Sequence, residues 1–219
     1  MELATPETID ARVRQSYRKL VGMLIWLYRT RVDLLYAIGL AARFLHLPTE
    51  KHCTLVRNRI LRYLRGTVYR GIVFFAKGKE WVLSGQGDSA FADDIRTCRS
   101  TRGHFLRLGS YGVVSANSTL ERKISTSTQQ AETYSLAALC RDTVYVRQLL
   151  GDLGCVQYDP TGLGTDNAGT HQQSTKQVNH ATAKHFRVSQ AYIRSLGNEK
   201  AIEVVKPSPW LPKLDSAKF

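Results

Sequence analysis

The stretch "GDSAFADDIR", Gly87 to Arg96, decides how this chain is read. Phe91-Ala92-Asp93-Asp94 forms an aromatic-x-Asp-Asp box, a pattern that holds metal ions when it sits in a tight hairpin between apolar strands. Gly87-Asp88-Ser89 reads instead as a strand end carrying one carboxylate. The flanks separate the two readings. Downstream of the pair stands "IRTCRSTRG", which is polar and basic. The acids ahead of Asp88 are Glu2, Glu7, Asp10, Asp33, Glu50 and Glu80, and none sits in a strand-like run that could supply a partner aspartate. Asp93 and Asp94 therefore read as a solvated turn after the first strand, and Asp88 as the residue to follow.

Outward from Asp88, the character of the chain changes at about Gly71. Short strand-like runs follow, "GIVFF", "EWVLSGQGD", "GHFLRLGS" and "GVVSANST", separated by Gly and Lys turns, and they predict a three-strand meander. A long helix comes next. Ser127 and Gln130 form a capping-box pair, and Ala131, Tyr134, Ala138, Val146, Leu149, Leu150 and Leu153 carry its apolar side. "TGLGTD" reads as a strand, "NAGTHQQSTKQ" as a helix, "TAKHFRVSQAYIRSL" as a helix capped by Thr182, and "AIEVV" as a final strand. Pro207, Pro209 and Pro212 leave the tail irregular.

Ahead of Gly71, residues 11–66 read as helices. A mostly apolar run ends at Pro48, and Thr49 caps "EKHCTLVRNRILRYLRG". In that helix Leu55, Val56, Ile60, Leu61 and Leu64 share a face, while Arg59, Arg62 and Arg65 make a basic stripe beside it. The expected class is α/β: a mixed sheet with flanking helices, preceded by a helical segment. The boundaries are 1–70 for the helical segment, 71–206 for the mixed domain and 207–219 for the tail.

Composition narrows the function. Thirty-one Lys and Arg against eighteen Asp and Glu give +13 over 219 residues, which favours a polyanionic partner such as nucleic acid. No run of eighteen apolar residues occurs, and the charged N-terminus lacks the apolar core of a signal peptide. Cys53, Cys98, Cys140 and Cys155 are scattered, which sets aside a disulfide framework and fits a reducing compartment. His180 and His185 have no Cys partner for zinc, and no phosphate-binding Gly-x-x-x-x-Gly-Lys-Ser/Thr loop is present.

Cleavage of a phosphodiester by paired Mg²⁺ ions needs hard oxygen ligands converging from separate elements. Three carboxylates stand where that can happen. Asp88 closes the first long strand, Glu132 lies in the first turns of the long helix, and Asp166 ends the strand after it. Ends of strands at such junctions are where ligands bind in mixed sheets. Each of these acids alone is more often a turn former or cap, and the three together carry the reading.

Taken in order, the motifs resemble one family, the Pol proteins of copia-type LTR retrotransposons. "YRKLVGMLIWLYRTRVDLLYAI" is similar to the Tyr-Arg-x-Leu-Val-Gly…Thr-Arg-Pro-Asp segment that follows the polymerase palm there, and "RILRYLRGT" to that family's signature. "GDSAFADD", "RSTRGHFLRLG", "STSTQQAETYSLA", "GTDNAG" and "TAKHF" continue the resemblance, which spans about Tyr17 to Lys206. It departs at Ala90 and Phe91, where the family has Asp and Trp, and at Arg187, where it has Asp.

The resemblance implies a ribonuclease H fold from about residue 71, after a helical connection. It implies hydrolysis of the RNA strand of an RNA/DNA hybrid with two Mg²⁺ ions, Mn²⁺ substituting. Asp88 matches the first catalytic Asp and would bridge the metals, Glu132 would hold metal or water, and Asp166 would be a further metal ligand. Asp215 in the tail is the candidate fourth ligand. Nucleic-acid contacts are expected at Arg59, Arg62, Arg65, Arg99, Lys184 and His185. The expected partners are the hybrid and the polymerase domain of the same Pol chain, with no membrane. The expected place is a cytoplasmic virus-like particle, with the nucleus as the alternative. The rival function is a catalytically decayed remnant that keeps the fold and binds nucleic acid without cleaving it.

Overall fold

The structure is a computed structural model that describes residues 10–74, 81–109, 112–165 and 184–206. The chain divides into two compact units, parted between Ile72 and Val73.

The first unit is helical. Helix α1 (Ala11–Ile25) is capped by Asp10, whose Oδ1 accepts from Arg12 N at 2.8 Å. It buries Tyr17, Val21 and Leu24, spaced so that one stripe faces inward. Short 3-10 turns, Trp26–Arg29 and Val32–Leu34, lead to α2 (Leu35–Ala42). Helix α3 (Glu50–Leu55) then runs through a π turn, Val56–Leu61, into α4 (Arg62–Gly66). Thr49 begins it in extended backbone, with its N–H donated to His52 Nδ1 at 2.9 Å, so a histidine fills the place Glu or Gln takes in a capping box.

Val56 and Ile60 join Tyr17, Val21, Leu34, Ile38 and Cys53 in the core of this unit. Leu55, expected on the same face, is 55% exposed. The buried line is set by His52, Cys53, Val56 and Ile60, and Leu55 falls beside it.

The "TRVD" segment has a clear structural role. Arg31, 5% exposed, donates through Nε and Nη2 to the two oxygens of Asp33, at 3.0 and 2.8 Å. It also donates to Thr67 O and Oγ1, at 3.1 and 2.7 Å, while the Tyr63 hydroxyl donates to Asp33 Oδ2 at 2.9 Å. One guanidinium thus ties the turn after α1 to the end of α4.

The second unit holds the sheet. Its elements are β1 (Leu83–Asp94), β2 (Arg99–Leu108), β3 (Gly112–Leu120), α5 (Thr128–Asp152), β4 (Thr161–Gly164), α6 (Lys184–Asn198) and β5 (Ile202–Val205). The strand order is β3-β2-β1-β4-β5. β1 to β3 form an antiparallel meander, and β4 and β5 add in parallel on the far side of β1. This is the mixed, helix-flanked sheet of a ribonuclease H-like fold. Leu83, Leu106, Leu136, Leu139, Leu163 and Ile193 centre its core.

Gly85 lets α5 sit close to the sheet. A Cβ there would lie 2.7 Å from Leu106 Cδ2, 3.0 Å from Leu139 Cδ1 and 3.0 Å from the Phe105 carbonyl oxygen. Gly85→Ala is expected to cost about 1–3 kcal/mol of stability in urea unfolding. An unchanged midpoint would show that the helix can lift without loss.

Several expectations need correction. Gly71–Phe74, the described part of "GIVFF", is not strand, and the meander begins at Leu83. Asp88 does not end its strand. It is the sixth of twelve residues in β1, which continues because β2 keeps pairing with it, Ser89 with Arg102 and Ala90 with Thr101. Asp93 and Asp94 are not a solvated turn. Asp93 accepts from Thr101 Oγ1 at 2.7 Å, and Asp94, 6% exposed, accepts from Thr97 Oγ1. These hydroxyls hold both acids in the irregular end of β1, where Ala92 takes φ 51°. Leu149 and Leu153 of the α5 region face solvent, because only Leu150 of the helix's last turn reaches the core. The segment "NAGTHQQSTKQ" and the cap Thr182 lie outside the described residues.

Two carboxylates link this fold to pH. His104 Nε2 lies 2.7 Å from Asp142 Oδ2, and that hydrogen bond holds the Asp142 carboxyl below its usual range. The Arg31 hydrogen bonds do the same for Asp33. A carboxylate with a depressed folded-state pKa adds stability above its unfolded value, about 3.9, and loses it as pH falls through the folded value. Unfolding followed downward from about pH 6 should therefore show stability falling below about pH 4. The Asp33→Asn, Asp142→Asn double variant should flatten that part of the profile. An equally steep loss in the variant would rule these two groups out as its source.

Candidate active site

The site forms where β1 outruns its parallel neighbour. β4 pairs with β1 only from Ser84↔Gly162 to Gln86↔Gly164, whereas β1 continues to Asp94. Thr165, 3% exposed, still donates its N–H to Val205 O at 3.3 Å. Two positions past the last paired residues, the two sequences carry Asp88 and Asp166. Asp88 is half-buried beside Gly103 of β2, and its Oδ1 accepts from Ser89 N at 2.7 Å.

Helix α5 brings the second carboxylate. Ser127 caps it by accepting from Gln130 N at 3.2 Å, while Gln130 Oε1 reaches back to Thr126 N at 2.7 Å. Its first turns then press on β1. A Cβ at Gly87 would lie 3.4 Å from Ser135 Oγ and from Leu139 Cδ2. The Ser135 hydroxyl donates to the Asp88 carbonyl oxygen at 2.8 Å. Glu132 stands one helical turn before Ser135 and is 4% exposed. The fold thus brings Asp88 and Glu132 to the same end of the parallel pair. A carboxylate as buried as Glu132 is held ionised only where a cation or hydrogen-bond donors offset its lost hydration.

Asp166 and Asp215 lie outside the described residues, as do the side chains of Lys184 and His185. Among the described residues no group of three or more His, Cys, Asp or Glu could hold a metal ion, and only two of the four carboxylates singled out in the sequence are described. Arg59 is exposed in the π turn, and Arg62 and Arg65 are exposed on α4 of the helical unit. Arg99 is the half-buried first residue of β2, opposite Asp94. Sequence reasoning missed Ser135. Its signal was a small hydroxyl three residues after Glu132 on a buried helix face.

No family model matches the chain. Over 193 residues it is 33% identical to the retrovirus-related Pol polyprotein from transposon RE1 of Arabidopsis thaliana, a match covering 88% of this chain and 13% of that protein. Most of this chain is similar to one segment of the retrovirus-related Pol polyproteins of transposons.

A Pol polyprotein from transposon TNT 1-94 of Nicotiana tabacum matches at 29% over 207 residues, covering 93% of this chain and 15% of the relative. The chain therefore spans a small part of the length of the Pol relatives it matches. A solved structure, RNase H1 from the archaeon Halobacterium salinarum NRC-1, aligns over 57% of this chain and 85% of its own. That alignment has 19% identity and a TM-score of 0.39, and the fold of this chain rests on its strand order and pairing instead. No helix among its described residues is long and apolar enough to cross a membrane.

Proposed function

We propose that this chain is the RNase H-type endonuclease domain of a copia-type element, preceded by a helical connection, and that it hydrolyses the RNA strand of RNA/DNA hybrids. The observation that carries the reading is the hydrogen bond from Ser135 to the Asp88 carbonyl, which seats α5 so that Glu132 and Asp88 share one end of the parallel strands.

The donor set suits Mg²⁺, or Mn²⁺ in its place, because carboxylate oxygens are the hard ligands such ions take. Asp88, Glu132 and Asp166 would hold the ions, with Asp215 as the fourth candidate. Bound there, a pair of divalent cations would supply charge stabilisation to an in-line displacement at phosphorus. Ser135 keeps the strand and helix in register, so the two carboxylates stay at a fixed spacing. Arg59, Arg62, Arg65 and Arg99, with Lys184 and His185, would hold backbone phosphates without reading sequence. A hybrid recognised by backbone shape and 2′-hydroxyls suits such a surface. The remaining partner is the polymerase domain of the same Pol chain, within a cytoplasmic particle.

A second reading, a remnant that binds hybrid without cleaving it, is favoured by Ala90 and Arg187, which stand where the copia pattern has Asp. One experiment separates the two. Labelled RNA/DNA hybrid is incubated with the protein and Mg²⁺, beside Asp166→Asn. Cleavage by the parent and not the variant supports the nuclease. Equal binding by both with no cleavage by either leaves the remnant.

A further inference from the structure

The helical unit carries a feature that hybrid cleavage does not use. Trp26, in the 3-10 turn after α1, is 77% exposed, with Met23 at 56% and Ile25 at 40%. Lys19, Met23 and Trp26 follow one another at helical spacing, so a cation, a thioether and an indole share one face. Beside them lies a groove of about 340 Å³ lined by Arg18, Gly22, Ile25, Leu45 and His46. Its floor is open at Gly22, where an added Cβ would meet nothing within 4 Å.

A solvent-exposed tryptophan next to an apolar slot is costly for a surface with no use for it. The charge says what would use it. Residues 1–72 contain thirteen Lys and Arg against five Asp and Glu, so this third of the chain carries +8 of the +13. Arg18 lines the slot, Lys19 follows it on α1 and Arg29 ends the turn after α1, and all three are exposed. Only the Nε of Arg18 is tied to the fold, by donation to Leu45 O at 3.0 Å. An apolar protein segment would gain nothing from those cations. A strand of unpaired nucleotides would use both parts, with bases stacking on Trp26 and entering the slot while phosphates meet the cations. A duplex keeps its base faces covered and offers only phosphates.

We infer that α1 and the turn after it form a binding site for single-stranded nucleic acid, centred on Trp26 and the groove over Gly22. The site reads base faces and phosphates and is blind to the sugar, so unpaired DNA and RNA bind alike. It is separate from the carboxylate site and needs no metal ion.

The test is fluorescence anisotropy with labelled oligo(dT) and oligo(U), on the whole chain, in EDTA so that no cleavage occurs. Failure of the proposed nuclease activity would leave this result untouched. Trp26→Ala should weaken both oligonucleotides about tenfold, and Trp26→Phe should restore most of the affinity. Gly22→Leu should weaken them as much by filling the slot, while its melting temperature stays at or above that of the parent, since leucine is the better helix former and its Cβ has open space there. Blunt duplex DNA should bind all three variants as it binds the parent. The proposal is overturned if Trp26→Ala and Gly22→Leu bind single strands like the parent. It is equally overturned if both variants lose single strands and duplex in the same proportion.

Discussion

Asp88→Asn and Glu132→Gln are each expected to lower cleavage of the RNA strand of a hybrid by at least about a hundredfold. Each change keeps size and shape and removes one negative charge. Asp88 is fixed on β1, and Glu132 is fixed by the helix that Ser135 bonds to the same strand. Neither side chain can be replaced by a movement of the other. Stability should move in the opposite direction from activity. Carboxylates gathered without a cation repel one another, so neutralising one relieves the metal-free protein. Added Mg²⁺ should then raise the melting temperature of the parent by mass action and raise that of the variants less. Two measurements check this: a gel assay of hybrid cleavage, and thermal melting with and without Mg²⁺. Variants that cleave at parental rates would remove Asp88 and Glu132 from the chemistry. A parent whose melting is indifferent to Mg²⁺ would remove the metal.

The second large effect belongs to Arg31. Arg31→Ala is expected to destabilise the helical unit by roughly 2–3 kcal/mol in urea unfolding. The side chain is 6% exposed and satisfies both oxygens of Asp33 together with two acceptors of Thr67. Truncation strands those acceptors and opens a gap beside Tyr63, over whose ring the guanidinium lies at 5.5 Å. Asp33 keeps partial access to water, with its side chain 35% exposed, which holds the cost at the lower end for a broken buried pair. Lysine should not rescue it, because one ammonium cannot span the two carboxylate oxygens and the Thr67 pair together. A loss below about 0.5 kcal/mol would show that the network is dispensable.

The sequence was most legible where a residue's neighbours are chosen by pattern. The meander, the long helix and the strands at Thr161 and Ile202 follow from short β-rich runs, a cap and an apolar side, and each has its counterpart in the structure. Asp88 and Glu132 do lie in the first long strand and the first turns of the long helix, though Asp88 sits inside its strand and not at its end. What failed were judgements of where elements end and what covers them. The polar run after Asp88 reads as a turn, yet backbone pairing with β2 is indifferent to side chains, and threonine hydroxyls supply what Asp93 and Asp94 need. Leu55, Leu149 and Leu153 obey helical periodicity but stay largely exposed, because no element covers that side of their helices fully. Ser135 and the Arg31 network depend on which distant backbone oxygens arrive beside them, and periodicity carries no trace of that.

The π turn at Val56–Leu61 bears on how the helical unit tolerates loss of a residue. A π turn holds one residue more than the α-helical turn it replaces, with the flanking helix still continuous. Asn58 lies within it and is exposed. Dropping that single codon would let the segment relax to plain α-helix, with Val56 and Ile60 brought one step closer in the chain. Of the described residues of the helical unit, this is the place where a one-residue deletion should be absorbed most cheaply. A deletion of Asn58 should melt closer to the parent than a deletion of one residue within α1.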